Sequence, residues 1–449
     1  MFLPLFENCT VAVIGLGYVG LPISFEIAKQ QRCNKTNKKL SRNVIGFDID
    51  EQRIAELKLC EDRTQELSKA ELLRIKNLKF TSKINDLLTA DIFIITVPTP
   101  IDDSNQPDIN PIIAATRTIA EVISKRKTLT SPIIIYESTV YPGLTEEVCV
   151  PIIESVTGLK YNKLNEKKTF YCGYSPERIN PGDKSHKISK IIKVTSGSNQ
   201  EVANWIDSFY GSFIEAKTYK AKSIKIAEAA KVIENTQRDL NIALINELAI
   251  IFNHMEIDTE DVLKTAETKW NFISFRPGLV GGHCIGVDPY YLTYKSEKLG
   301  YSPQVVLSGR RINDYMSKWV VEKIILLMAK KGIVILNSKV LILGLTFKED
   351  CPDIRNTKVF DIVNNLKGFG INTKIVDPIA DKEEVKKTYD LDINNKIDFS
   401  IKYSAVILAV GHTYFKELKT HEWEKLIDDK GFFFDLKYII PRDLNPKRI

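Results

Sequence analysis

Cys284 lies in the segment Gly281-Gly282-His283-Cys284-Ile285-Gly286-Val287-Asp288-Pro289. Paired glycines let the backbone and a ligand come close to the thiol. An aspartate four residues on can bring an acid or base to the same place, so the segment suits nucleophilic catalysis. Blander readings exist: cysteine is often a small buried hydrophobe, and Asp288 before Pro289 is a good helix start. His283 is given no catalytic role. A second group is Glu228, Lys231 and Asn235, whose spacing puts them on one face of a helix; the spacing alone fits a reactive face and a solvated polar stripe equally. A third is Tyr174-Ser175-Pro176-Glu177-Arg178-Ile179-Asn180-Pro181-Gly182, a polar loop that by itself reads as a surface turn.

Val11-Ala12-Val13-Ile14-Gly15-Leu16-Gly17-Tyr18-Val19-Gly20 is a G-x-G-x-x-G between an apolar run and a helical pattern. Gly15 permits the tight turn, Gly17 lets the backbone approach a pyrophosphate, and Gly20 lets helix and strand pack closely. With Tyr18 and Val19 these glycines open a helix whose N-terminal N–H groups suit phosphate. The acid expected at the end of the next strand is Asp48, in Gly46-Phe47-Asp48-Ile49-Asp50. It should bind the ribose hydroxyls and repel a 2′-phosphate, which favours NAD over NADP. Asp48 stands further from Gly15 than the usual ~20 residues, and the polar stretch Arg32–Arg42 accounts for the excess as an insertion. Arg53 is a further candidate for the ribose.

The elements that position these residues follow from periodicity. Apolar runs of strand length occur at Thr10–Ile14, Val44–Phe47, Asp91–Val97 and Ile133–Tyr136, with a helical pattern over Leu21–Gln30. Such alternation implies a parallel sheet covered by helices. Lys222–Met255 holds neither Gly nor Pro and keeps a helical period, and its second half is apolar almost all round, as in a helix buried on several sides. Strands at Val340–Leu343, Thr373–Val376, Ala405–Val410 and Phe432–Phe434, with a helix at Val359–Leu366, make a second α/β pattern. The expected fold class is α/β: a Rossmann-like NAD-binding domain over 1–204, a central helical domain with a long helix and a dimer contact over 205–310, and a second Rossmann-like α/β domain over 311–449.

Composition narrows the function. Of 449 residues, 44% are hydrophobic and 27% charged, ordinary for a globular protein. The net charge of +6 comes without a dense basic block, which argues against nucleic acid and suits an anionic small substrate. No apolar run of membrane-spanning length occurs. Met1–Glu7 lacks the start of a secretory signal, so a cytoplasmic chain is expected. The cysteines (Cys9, Cys33, Cys60, Cys149, Cys172, Cys284, Cys351) form no C-x-x-C, and the five histidines form no ligand-spaced cluster, so neither a disulfide framework nor a metal site is expected.

Taken in order along the chain, the glycine fingerprint, Tyr136-Glu137-Ser138-Thr139-Val140-Tyr141-Pro142-Gly143, the Ser-Pro-Glu-Arg loop, the Lys/Asn helix, the Gly-Gly-His-Cys segment, and Leu345-Thr346-Phe347-Lys348-Glu349-Asp350 followed by Asp353-Ile354-Arg355 resemble the UDP-glucose/GDP-mannose dehydrogenases, the nucleotide-sugar 6-dehydrogenases. The resemblance spans nearly the whole chain. Within the family, the segments around Glu177, Lys231 and Cys284 look most like the branch that oxidises UDP-N-acetylhexosamines, UDP-N-acetylglucosamine above all, for bacterial surface polysaccharides.

The resemblance implies a four-electron oxidation of a C6 alcohol to a carboxylate. Cys284 would carry the thiohemiacetal and thioester, Lys231 and Asn235 would stabilise the oxyanion, and Asp288, Thr139 and Glu177 would position or deprotonate water. Thr99, Thr139 and Arg355 would contact NAD. Gly281, Lys348 and the loop Phe272–Val280, Phe275 included, would hold the UDP-sugar with Glu177, Lys231 and Asn235, while Arg178 offers a fork for a phosphate or an acetamido oxygen. A homodimer or higher homo-oligomer is expected. One position departs from the pattern: some members carry a second Glu where this chain has Pro181, so its duties fall on Glu177. Two rivals are a two-electron β-hydroxyacid-type dehydrogenase, which needs no nucleophilic Cys, and a non-catalytic NAD-binding protein, which should have lost part of the set.

Overall fold

A computed structural model describes residues 3–102, 104–127, 130–163, 166, 168–179, 187–282 and 284–449. It divides into two compact units, residues 1–234 with 290–299 and residues 235–289 with 300–449.

In the first unit, aliphatic runs form β1 (Thr10–Ile14), β2 (Asn43–Phe47), β3 (Leu78–Thr81), β4 (Ile92–Ile95), β5 (Ile133–Tyr136), β6 (Lys160–Tyr161) and β7 (Thr169–Tyr174). They make one parallel sheet in the order β3-β2-β1-β4-β5-β7-β6, with Val11 opposite Val44 on one side and Ile92 on the other. The near-continuous apolar sequences suit strands buried on both faces. Strand order reverses at β1 and β4, which opens a crevice beyond their carboxyl ends where ligands bind in such sheets. The helices are α1 (Gly20–Lys29), α2 (Glu51–Lys58), α3 (Lys69–Arg74), α4 (Asn110–Lys125), α5 (Val150–Thr157) and α6 (Gln200–Gly211). On α4 the buried residues Ile112, Ala115, Thr116, Ile119 and Ile123 follow the helical period. Val202, Ile206, Phe209 and Tyr210 of α6 share a core with Val11, Val13, Ile92 and Ile94, so the helix that spans residue 204 belongs to this core. A small parallel pair, β8 (Lys193–Thr195) and β9 (Thr218–Lys220), completes the unit.

The 31-residue helix α7 (Ile224–His254) starts in the first unit and continues into the second. It is followed by α8 (Thr259–Ala266), α9 (Asp288–Lys298) and α10 (Gln304–Lys330). The second sheet, β10 (Lys339–Leu343), β11 (Asn372–Val376), β12 (Tyr403–Leu408), β13 (Ile427–Asp435) and β14 (Lys447–Arg448), is parallel in the order β11-β10-β12-β13-β14. Helices α11 (Lys358–Gly368), α12 (Lys382–Tyr389), α13 (Thr413–Lys416) and α14 (Thr420–Glu424) connect it. Met316, Trp319, Val320 and Ile324 of α10 pack in one core with Val340, Ile342, Val359 and Ile362, so α10, which spans residue 310, belongs with this sheet. The α/β class with two parallel sheets and helices between them is as the sequence leads one to expect.

The two sheets share one turn. Gly15, at φ 92°, donates its N–H to Phe47 O at 2.8 Å, and Leu16 N–H donates to the Asp48 carboxylate at 2.7 Å. In the second sheet Gly344, at φ 91°, donates to Val376 O at 2.7 Å, and Leu345 N–H donates to the Asp377 carboxylate at 2.7 Å. The left-handed φ is what glycine supplies. The carboxylates differ in surroundings: Asp48 is half-buried, whereas Asp377 is fully buried and 3.1 Å from His412 Nε2. Burial works against the Asp377 charge, but His412 and two backbone N–H groups hold its pKa well below the usual carboxylate range.

Candidate active site

At the crevice of the first sheet the glycine loop is braced from both sides. Thr96 Oγ1, at the end of β4, donates to Ile14 O at 3.0 Å and Gly15 O at 2.7 Å. Arg53 is buried and donates through Nε to Leu16 O at 3.0 Å, while its NH2 pairs with Asp62 at 2.7 Å. A Cβ on Gly20 would lie 1.8 Å from Gly15 O, so only glycine fits there, whereas a Cβ on Gly17 would meet no atom within 4 Å. The front of the loop is thus open where its back is packed. Helix α1 begins after Val19 without a side-chain cap, and the N–H groups of its first turn suit an anion. Asp48 accepts Leu16 N–H on one oxygen and Asp50 N–H on the other, a fixed orientation for a ribose acceptor. This cradle fits a nicotinamide dinucleotide.

The loops after β4 and β5 carry Thr99 and Thr139, both half-buried, and Ser138 Oγ ties them by donating to Val97 O at 2.6 Å. Glu228 is fully buried on α7 and accepts N–H bonds from Gly143 at 2.5 Å and Thr145 at 3.0 Å. Burial raises its pKa and those two donors oppose the rise. It therefore anchors the segment that follows Thr139. One turn further, Lys231 is also buried, so this helix face is not a solvated stripe. Glu177 is buried after β7, and burial pushes its carboxyl up to about 7 against the positive charges of Lys231 and Lys193. Arg178 forms a two-pronged pair with Glu234, 2.7 and 3.2 Å, and donates to Ile192 O at 3.1 Å. Its fork is oriented by these partners, and a ligand would share it with them. Asn180, Pro181, Gly182, His186 and His283 lie outside the described residues.

In the second unit Cys284 is half-buried, on a turn whose carbonyl accepts Val287 N–H at 3.0 Å and Asp288 N–H at 2.8 Å. The buried Asp288 opens α9 ahead of Pro289, and its carboxylate accepts Asn235 Nδ2 at 2.5 Å. The helix-start reading of Asp288 therefore holds, with its carboxylate turned to Asn235. Gly281 and Gly282 lie against the segment bearing Lys348 and Arg355: a Cβ on Gly281 would be 2.7 Å from Asn356 O, and one on Gly282 2.7 Å from the Phe347 ring. Arg355 is held by the Asp353 carboxylate, with contacts from 2.5 Å. The loop with half-buried Phe275 is pinned by Asn246, which donates to Gly278 O at 3.0 Å and accepts Gly278 N–H at 2.8 Å. The structure thus gathers Asn235 with Asp288 beside the Cys284 turn, and Gly281 with the Lys348–Arg355 segment.

Thr96, Ser138 and Asn246 were not singled out by sequence. Their partners are backbone atoms far along the chain, and no local spacing announces them. Among the described residues, no group of His, Cys, Asp and Glu could hold a metal ion, and no helix is long and apolar enough to cross a membrane.

Three sequence profiles match the chain: the UDP-glucose/GDP-mannose dehydrogenase family NAD binding domain at residues 9–214, the central domain at 225–315 and the UDP binding domain at 341–442. The chain is 51% identical to the UDP-N-acetyl-D-glucosamine 6-dehydrogenase of Salmonella typhi over 99% of each chain. It is also 51% identical to the protein of that name from Pseudomonas aeruginosa, over 99% of this chain and 100% of the other. Among solved structures it is similar to the UDP-D-ManNAc dehydrogenase of Pyrococcus horikoshii, with a TM-score of 0.81 and 26% identity over 96% of each chain.

Proposed function

Because this chain belongs to the UDP-glucose/GDP-mannose dehydrogenase family, we propose that it converts the C6 alcohol of a UDP-N-acetylhexosamine, UDP-N-acetylglucosamine first, to the uronic acid. It is an NAD-dependent nucleotide-sugar 6-dehydrogenase, with an NAD-binding domain at one end and a UDP-binding domain at the other. Support for the acetamido sugar comes from the full-length relatives at 51% identity.

The observation that carries the chemistry is Cys284 on a glycine turn beside the Asn235–Asp288 hydrogen bond. NAD, held by the Gly15–Gly20 loop and Asp48, would supply the hydride acceptor for each of two oxidations at C6. Between them, the Cys284 thiolate adds to the aldehyde carbon, a C–S bond forms, and the charge moves to the former carbonyl oxygen. Lys231 supplies positive charge to that oxygen, and Asn235 a hydrogen bond. After the second oxidation, water attacks the thioester, a C–O bond forms, the C–S bond breaks, and thiolate returns to Cys284. Glu177, with a carboxyl near neutrality, takes the water proton, with Asp288 and Thr139 orienting the water. The balance is one alcohol, two NAD and one water to one carboxylate, two NADH and three protons.

NADH formed from limiting UDP-N-acetylglucosamine in excess NAD tests this: two per sugar is expected, and a one-to-one yield with free aldehyde overturns it.

Three further assignments belong to this reading. The chain works as three regions, joined between the matched segments at 214–225 and 315–341. It assembles as a homodimer or higher homo-oligomer, supported by Ile226, Ile233, Leu244 and Ile251, four half-exposed aliphatic residues on one face of α7. It acts in the cytoplasm and serves surface polysaccharide synthesis.

A further inference from the structure

Below Glu177 lies a buried charged cluster to which the reaction above gives no part. Glu137 directly follows β5, Lys193 opens β8 and Tyr210 lies on α6. Lys193 Nζ donates to Glu137 Oε2 at 2.6 Å and to Pro176 O at 3.0 Å. Tyr210 OH donates to the other Glu137 oxygen at 2.5 Å. All three side chains are buried, and the Lys193 ammonium is 5.2 Å from the centre of the Tyr210 ring.

Withdrawing an ion pair from water is costly, and apolar residues of similar size often serve stability as well. A buried pair is therefore weak evidence for stability and directs attention to what else it holds. Here it holds the backbone that leads into Glu177. Ser175 N–H donates to Tyr136 O at 2.9 Å, Ser175 Oγ donates to Val194 O at 2.7 Å, and Pro176 O takes the Lys193 bond. Among the described residues, the charges that act most on Glu177 are Lys231 and Lys193 on the positive side and Glu137 and Glu66 on the negative. Glu177 Oε1 is buried with no hydrogen-bond partner among the described residues, so charge at a distance has more influence on it.

We propose that Lys193, held by Glu137 and Tyr210, is a positioning residue for Glu177: it fixes the Pro176 carbonyl from which Glu177 departs and sets a second buried positive charge opposite that carboxylate. This rests on Glu177 acting as the base in thioester hydrolysis. The ionised form is then the active one, and the rising limb of kcat against pH, read with both substrates saturating, follows its titration. Removing the Lys193 charge while leaving that of Glu137 disfavours ionised Glu177 and moves the limb up. Removing the Glu137 charge while leaving that of Lys193 moves it down.

The test is the pH profile of NADH formation for the wild type, Glu177→Gln, Lys193→Met, Glu137→Gln and the Lys193→Met/Glu137→Gln double variant. The limb is expected to move up by about one unit in Lys193→Met and down by a similar amount in Glu137→Gln, the size typical of one nearby charge. It should return toward the wild type in the double variant, which leaves no unpaired buried charge. If Lys193→Met fails to fold, the single Glu137 and double variants still carry the comparison. Lower rates with the limb unmoved in Glu137→Gln and the double variant overturn the role of Lys193. A wild-type limb in Glu177→Gln overturns the reading of Glu177, whatever Lys193 does.

Discussion

The Cys284 turn is closed through its backbone. The Val287 and Asp288 N–H groups bond the Cys284 carbonyl, so alanine keeps these bonds and removes the nucleophile. Cys284→Ala should therefore abolish acid formation while NAD affinity stays within a few-fold, since the glycine loop lies in the other compact unit. Product analysis and NAD titration check both halves. Full activity in the variant would return Cys284 to a packing role. Single residues were legible in the sequence where type and local spacing carry the signal. The glycine fingerprint and Asp48 belong to that class, and so does the Cys284 turn. Lys193, Glu137 and Tyr210 carry no such signal. They come from three separate elements, and only the sheet topology brings them into contact.

At the level of elements, the loop Phe272–Val280 has no secondary structure of its own: Arg276 ties it to Glu260 and Glu267, and one side chain of α7 holds its backbone at Gly278. Asn246 satisfies both the N–H and the carbonyl of Gly278, and it also donates to Asn313 Oδ1 at 2.8 Å. Asn246→Ala leaves those buried groups unpaired, at about 1–3 kcal/mol each. A tenfold or larger rise in KM for the UDP-sugar is expected, with kcat changed only a few-fold, in steady-state kinetics beside a thermal melt. An unaltered KM with a lowered melting temperature would mean that the loop is held for stability alone. Strands β1, β2, β4, β5, β10, β11 and β12 were legible to within two or three residues, because strands buried on both faces read as short apolar runs, whereas β13 begins well before its apolar run Phe432–Phe434 and β3, β7 and β14 were not read. The two-residue β6 and three-residue β8 and β9 are too short for any period to show. Helix α10 is 27 residues long and runs through residue 310, the end given to the central domain in the sequence reading, because its buried face lies against a sheet that comes later in the chain.

For the molecule as a whole, the expected order of substrates follows from what a shaped site does to a smaller ligand. An acetamide offers a carbonyl acceptor that a hydroxyl does not replace. Arg178, the donor on the reading above, keeps Glu234 and the Ile192 carbonyl whichever sugar binds, so UDP-glucose forgoes one hydrogen bond to a charged group, about 1.5–3 kcal/mol, or roughly ten- to a hundredfold in kcat/KM. Measuring kcat/KM for UDP-N-acetylglucosamine, UDP-N-acetylgalactosamine, UDP-N-acetylmannosamine and UDP-glucose decides it. A lead for UDP-glucose would reject the acetamido assignment, and a lead for another acetamido sugar would reject only the configuration. The chain also carries two copies of one nucleotide-binding turn, and that raises a sorting problem: a ribose could lodge at either. Asp48 keeps its place beside the open glycine loop. Its counterpart Asp377 is locked to His412 and sealed from solvent. With the second carboxylate withdrawn, the dinucleotide has a single address in the chain, and the uridine nucleotide must be held at the other sheet by groups that do not compete for NAD.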